Sequence, residues 1–130
     1  MSTTGIFLVE SDFEWRDRIW SYLSQQPDMH MIGAVCTKEE ALDQFQYADL
    51  VLMDSHIEGI SMEGIRIAKE MKAIKPSKVI LMTDHTDLDS MLDGLLAGVS
   101  RFVSKENLSD IPRIVRQIMV KHSQSDISAS

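Results

Sequence analysis

The chain holds a single cysteine in 130 residues. Cys36 therefore has no partner for an internal disulfide, and a reducing compartment is the simple reading. No apolar run approaches the ~20 residues that cross a bilayer, and no charged leader precedes an apolar segment. Neither secretion nor membrane insertion is indicated, so a cytoplasmic address is expected. Positive charge is scarce as well. Thirteen Lys and Arg stand against twenty Asp and Glu, a net charge of −7, which argues against this domain gripping nucleic acid by itself. There is no internal repeat. A Gly-rich phosphate loop is missing too: the first apolar run leads into Glu10-Ser11-Asp12-Phe13, which excludes a flavin-binding chain of the topology argued below.

What remains is an ordinary soluble composition, 44% apolar and 25% charged. The length suits one domain that buries about two thirds of its unfolded surface. Nine methionines fall at strand and helix core positions, where they read as adaptable filler. Three apolar runs each stop at one polar residue. Leu50-Val51-Leu52-Met53 stops at Asp54, Val79-Ile80-Leu81-Met82 at Thr83, and Arg101-Phe102-Val103-Ser104 at Lys105. Short apolar runs alternating with helix-length amphipathic segments read as buried parallel strands whose carboxyl ends share one edge. A carboxylate, a hydroxyl and an ammonium would then meet there. These are a nucleophile, a donor and a cation, the set needed to carry a phosphoryl group.

The expected elements follow in order. Gly5 to Val9 is a strand, and Asp12 can N-cap a helix whose inward residues are Trp15, Ile19, Tyr22 and Leu23. Pro27-Asp28 breaks it before a strand from Met29 to Val35. Thr37 and Glu40 match a capping box opening a short helix through Phe45. A third strand, Asp49 to Met53, leads into a loop, and Ser61 can cap a helix to Ile74. After a strand from Lys78 to Met82, Thr86 can cap a helix with Leu88, Met91, Leu92, Leu95 and Leu96 on its core face and Gly98 as terminator. A strand from Arg101 to Val103 precedes a helix from near Ser109 that tolerates Pro112 and buries Ile111, Ile114, Val115, Ile118 and Met119. Right-handed crossovers make this a doubly wound α/β fold, a five-stranded parallel sheet in a flavodoxin-like (βα)5 three-layer sandwich. The domain covers residues 1–121, and residues 122–130 read as a flexible polar tail, a possible linker to an output domain.

Val9-Glu10, Leu52-Met53-Asp54, Met82-Thr83 and Phe102-Val103-Ser104-Lys105, in this order with the right element between each pair, closely resemble the receiver domain of two-component response regulators. The resemblance covers about residues 5 to 120. Pro27-Asp28 through Ile32-Gly33-Ala34 looks most like receivers attached to a helix-turn-helix DNA-binding domain. The resemblance implies that Asp54 accepts a phosphoryl group from the phosphohistidine of a sensor histidine kinase, with Mg²⁺ bridging phosphoryl and carboxylates. Thr83 would bond one phosphoryl oxygen and Lys105 pair with another. Metal ligands would come from Glu10, Asp54 and the His56 backbone carbonyl. Thr83 and Phe102 would form the switch that reshapes the face of the fourth helix and fifth strand. The domain would signal through an output module rather than act as an enzyme.

Several positions depart from that pattern. Ser11 stands where a second acid is usual, so Mg²⁺ should bind weakly; Asp12 is a substitute ligand only if it is not capping the helix. Glu58 and Met62 replace the usual Pro and Gly of the loop after Asp54, which therefore looks longer and less constrained. Glu58, Asp84, Glu10 and Asp54 are expected to crowd around one lysine, raising the pKa of one carboxylate. These departures favour an alternative, a pseudo-receiver interaction module no longer controlled by metal-dependent phosphorylation. A haloacid-type phosphatase would want an acid two residues after its nucleophile, where His56 stands. The partner face is expected over residues 87–118, with Phe102 at its centre. Asp87, Asp89, Asp93, Arg101, Arg113 and Arg116 would provide complementary charge for a weak homodimer.

Overall fold

A computed structural model describes the backbone of residues 3–129 and the side chains of residues 3–120. The expected flexible tail, 122–130, instead continues the last helix in its backbone through Ala129; its side chains and residue 130 lie outside the residues so described. Five strands, β1 (Thr4–Val9), β2 (Met29–Val35), β3 (Leu50–Asp54), β4 (Lys78–Met82) and β5 (Arg101–Val103), form one parallel sheet in the order β2-β1-β3-β4-β5. The helices between them are α1 (Phe13–Ser24), α2 (Lys38–Gln44), α3 (Glu63–Ile74), α4 (Leu88–Leu96) and α5 (Asp110–Ala129). Single 3₁₀ turns follow α2 (Phe45–Tyr47) and β5 (Lys105–Asn107). This is the expected doubly wound architecture.

Side chains alternate across the pleat, so each apolar strand feeds two cores. Ile6, Leu8, Leu50, Leu52, Ile80, Met82 and Val103 face α1 and α5, packing on Ile19, Leu23, Ile111, Ile114, Val115 and Ile118. Phe7, Val9, Val51, Met53, Val79 and Leu81 face the other way onto Ala41, Phe45, Ile67, Ala68 and Met71. Double burial is why these strands read as unbroken apolar runs rather than alternating ones.

Helix ends show where local chemistry was readable. Asp12 accepts from the Trp15 N–H at 3.0 Å and Thr37 from the Glu40 N–H at 3.2 Å, as expected of caps. Two expected caps are different residues. Asp87, not Thr86, caps α4 through the Ser90 N–H at 3.1 Å. Ser61 does not cap α3; Met62 stands there in the left-handed region, φ 60°, with no side-chain cap. The reason lies in the loop after Asp54. Ile57 and Ile60 exchange backbone hydrogen bonds across Glu58 and Gly59, both at positive φ. With Ile57 fully buried, the loop is a closed turn, not the unconstrained segment expected. The Gly64 N–H donates to the Ser55 carbonyl at 3.0 Å, satisfying the helix start from the strand side.

The larger departure concerns α4. Its only buried residue is Gly94, while Leu88, Leu92, Leu95 and Leu96, expected in the core, are exposed by 71%, 46%, 54% and 80%. The periodicity was real, but the stripe faces outward. Gly94 lies against the Phe102 ring, which packs on the core in place of an α4 side chain.

Candidate functional site

Register brings the chemistry to one edge. Val9 pairs with Met53, Asp54 with Met82, and Met82 with Val103. Backbone bonds from Glu10 N to Val35 O (2.9 Å), Ser55 N to Met82 O (2.9 Å) and Thr83 N to Val103 O (2.8 Å) extend the ladder just past the strand ends. Glu10, Asp54 and Thr83 therefore leave the sheet at nearly one level, and all three are buried. Lys105 reaches back from the 3₁₀ turn after β5.

The Lys105 Nζ lies 2.8 Å from Asp54 Oδ2 and 2.6 Å from Glu10 Oε1. One ammonium thus bridges two carboxylates beneath an open groove of about 430 Å³. The groove is walled by Trp15, His56, Thr83, Asp84 and His85 among others. Glu58 and Asp84, expected to crowd the same lysine, are both bonded to other groups, although Asp84 lines the groove. Glu58 accepts from the Lys38 N–H (3.3 Å) at the start of α2, and Asp84 from the Ser104 hydroxyl (3.0 Å).

Burial is the largest influence on Glu10 and pushes its carboxyl up to about 7. The Lys105 ammonium opposes that rise, while the charge and hydrogen bonding of Asp54 reinforce it. For Lys105, burial alone would lower the pKa, but Asp54 and Glu10 outweigh it and hold the ammonium above its ordinary value. Glu10 Oε1 touches Lys105 as an ion pair without hydrogen-bond alignment. Among the described residues it is the buried side-chain oxygen left with no hydrogen bond.

Thr83 accepts from the His85 N–H at 3.0 Å, so its own hydroxyl hydrogen stays available to a ligand. The His56 imidazole pairs with the Ser55 hydroxyl at 3.0 Å and stacks on His85, ring centroids 5.5 Å apart. The His56 carbonyl receives only a long 3.5 Å contact from Ser11 Oγ. Asp12 is exposed and engaged in its cap, so Ser11, not Asp12, stands beside the carbonyl. Sequence reasoning passed over Trp15, whose ring lies 5.4 Å from Lys105 Nζ. Its apolar spacing marked it as a core residue, and no local signal separates that from a groove wall.

Mg²⁺ takes oxygen ligands and keeps several waters, so one or two carboxylates are enough to hold it. The Glu10 and Asp54 carboxylates, which share the Lys105 ammonium, and the lightly engaged His56 carbonyl form such a set. Among the described residues no group of three or more acidic, His or Cys side chains converges on one point. The residues present fit Mg²⁺ with two carboxylates, and the neutral Ser11 hydroxyl lies 3.5 Å from the His56 carbonyl.

The model of the response regulator receiver domain family matches residues 6–118 of this chain. Among curated relatives, a protein-glutamate methylesterase/protein-glutamine glutaminase of Alkalilimnicola ehrlichii is 29% identical over 125 residues, covering 91% of this chain but 31% of the relative. The response regulator protein VraR of Staphylococcus aureus is 29% identical over 119 residues, covering 88% and 56%. The chain thus spans about half or less of the curated relatives' length. Of solved structures, the signal receiver domain of the putative response regulator NarL from Mycobacterium tuberculosis superposes with a TM-score of 0.81 at 18% identity, covering 91% of this chain and 97% of that one. A LuxR-family two-component response regulator from Aurantimonas gives 0.83 at 20%, covering 92% and 87%. At these identities the structural likeness speaks for the fold.

Proposed function

Because the chain belongs to the response regulator receiver domain family, we propose that Asp54 accepts a phosphoryl group from the phosphohistidine of a sensor histidine kinase and so switches an output module. An Asp54 oxygen attacks phosphorus, the phosphorus–nitrogen bond of the donor breaks, and the departing imidazole takes up a proton. The observation that carries this reading is Lys105 bridging Asp54 and Glu10 at the floor of an open groove. The nucleophile is buried yet reachable, and a cation stands ready for charge gathering on the phosphoryl oxygens. Thr83 supplies a hydroxyl for one such oxygen. Glu10, Asp54 and the His56 carbonyl would hold Mg²⁺, which supplies further neutralisation of that charge. The domain is the acceptor rather than an enzyme acting on other molecules.

No helix among the described residues is long and apolar enough to cross a membrane. Together with the lone cysteine this supports a cytoplasmic setting. The output is best read as a helix-turn-helix module joined through the polar stretch 122–130, with the 87–118 face as the partner surface. Ser11 favours a second reading, a pseudo-receiver that binds partners without Mg²⁺-dependent phosphorylation. Acetyl phosphate with Mg²⁺ separates the two. One added phosphoryl mass, lost in Asp54→Asn, supports the first reading, and an unlabelled native chain supports the second.

A further inference from the structure

The Lys105 ammonium has carboxylates on two sides and an indole on a third. We propose that Trp15 is a positioning residue for Lys105, its ring face holding the cation over Asp54. The inference rests on the reading of Asp54 as acceptor.

The geometry supporting it begins with the contact itself. Nζ lies 5.4 Å from the indole centroid, inside the ~6 Å range of cation–π attraction. The ring is half-buried, packs on the α1 side of the core and lines the same groove as Asp54. Its backbone is fastened to the site. The Trp15 N–H donates to Asp12 Oδ1 at 3.0 Å, and the Asp12 N–H donates to Glu10 Oε2 at 3.1 Å. Arg16 Nη1 donates to the Glu10 carbonyl at 3.3 Å. The first turn of α1 is therefore anchored on Glu10, and the Asp12 cap sets where the indole sits. The exposed Arg18 guanidinium lies 4.7 Å from the centroid of the same ring.

Charge explains why a neutral wall suits this site. Glu10 and Asp54 already set two carboxyl groups against one ammonium. A third carboxylate would hold Lys105 but also repel an incoming phosphoryl dianion. An electron-rich ring holds the cation without adding net charge.

The experiment uses the full chain with Trp20→Phe, so that Trp15 is the sole tryptophan, and replaces it with tryptophans of increasing fluorination. Fluorine drains the ring face of electron density at nearly constant shape. Phosphorylation by acetyl phosphate is followed against donor and Mg²⁺ concentration. The limiting rate should fall stepwise, about two- to fivefold across the series, with Mg²⁺ half-saturation unmoved. Trp15→Phe should lie between the parent and Trp15→Leu. A flat series, even with a slow Trp15→Leu, would make the indole a steric wall and overturn the proposal. So would a series that shifts only Mg²⁺ half-saturation. If even the parent takes no label, the Asp54 reading has failed by itself. Nuclear magnetic resonance then decides the contact: Lys105 ε-methylene protons shifted upfield by the ring, and released in Trp15→Leu, support it. Unshifted protons in the parent refute it.

Discussion

Gly94 and Phe102 occupy one space: a Cβ on Gly94 would stand 2.7 Å from two carbons of the Phe102 ring. Glycine inside a helix costs about 1 kcal/mol relative to alanine, and here the missing side chain is what lets the ring lie beneath α4. Gly94→Ala should therefore push the ring outward. Overpacking of about 1–3 kcal/mol offsets or exceeds the helix-propensity gain of about 1 kcal/mol, so a net loss of up to roughly 2 kcal/mol is expected in urea unfolding. Combining it with Phe102→Leu should recover most of that loss. Strict additivity of the two changes would show that they do not share the space.

The outward leucines of α4 bear on self-association. Leu88, Leu92, Leu95 and Leu96 stand beside Asp87, Asp89 and Asp93, with Arg101 and Arg113 on the neighbouring β5 and α5. Arg116 is withdrawn from that set by a two-pronged pairing with Asp28, at 2.8 and 3.0 Å. A weak dimer through this face should tighten with beryllofluoride and Mg²⁺, loosen with added salt, and vanish in Leu92→Glu. Monomeric sedimentation under every condition would rule the face out for this domain.

Glu10 gives the metal-free protein a defined pH dependence. Its folded pKa of about 7 lies above the ordinary 4.5, so between those values the folded state keeps a proton that the unfolded chain has released. Stability should accordingly fall as pH rises through that window, by up to roughly 3 kcal/mol. Asp28 acts with the opposite sign. Arg116 holds it below its ordinary 3.8, so its contribution is present above that value and lost only at lower pH. Urea midpoints in chelator at pH 4.5 and 7.5 measure the Glu10 slope, which Glu10→Gln should flatten. An unchanged slope in that variant would locate the proton elsewhere.

Ser11→Asp should tighten Mg²⁺ by roughly tenfold or more, about 1.4 kcal/mol. It adds a negative charge beside Glu10 and Asp54, so the metal-free variant should be less stable at neutral pH and recover with Mg²⁺. Titration of tryptophan fluorescence reads both proteins, since Trp15 lines the groove. Equal affinity in the native chain would mean that Ser11 costs the site nothing.

Much of the fold was legible because it is written in short-range patterns. A strand buried on both faces must be apolar along its length, so the runs ending at Asp54 and Thr83 and preceding Lys105 announced a parallel sheet and the edge where those residues meet. Asp12 and Thr37 were readable as caps because a cap is a bond between residues three apart. Glu58 was misplaced because nothing local tells that positive φ at Glu58 and Gly59 turns the loop toward α2.

By itself the sequence determined the order of elements, the alternation of helix and strand, and the meeting of Asp54, Thr83 and Lys105 at one edge. Period and apolarity are properties of neighbouring residues, and parallel pairing then leaves the strand ends little freedom. Only the tertiary structure decided that the α4 stripe faces outward, that Glu10 is deep enough for its proton to linger to about pH 7, and that Trp15, while packed on the core, also lies over Lys105. Each depends on what distant segments place alongside: a ring filling the space of Gly94, a sheet edge closing over a carboxylate, an ammonium arriving from position 105. Burial and electrostatic environment are sums over such neighbours, and helical spacing tells which residues share a face without telling what that face will meet.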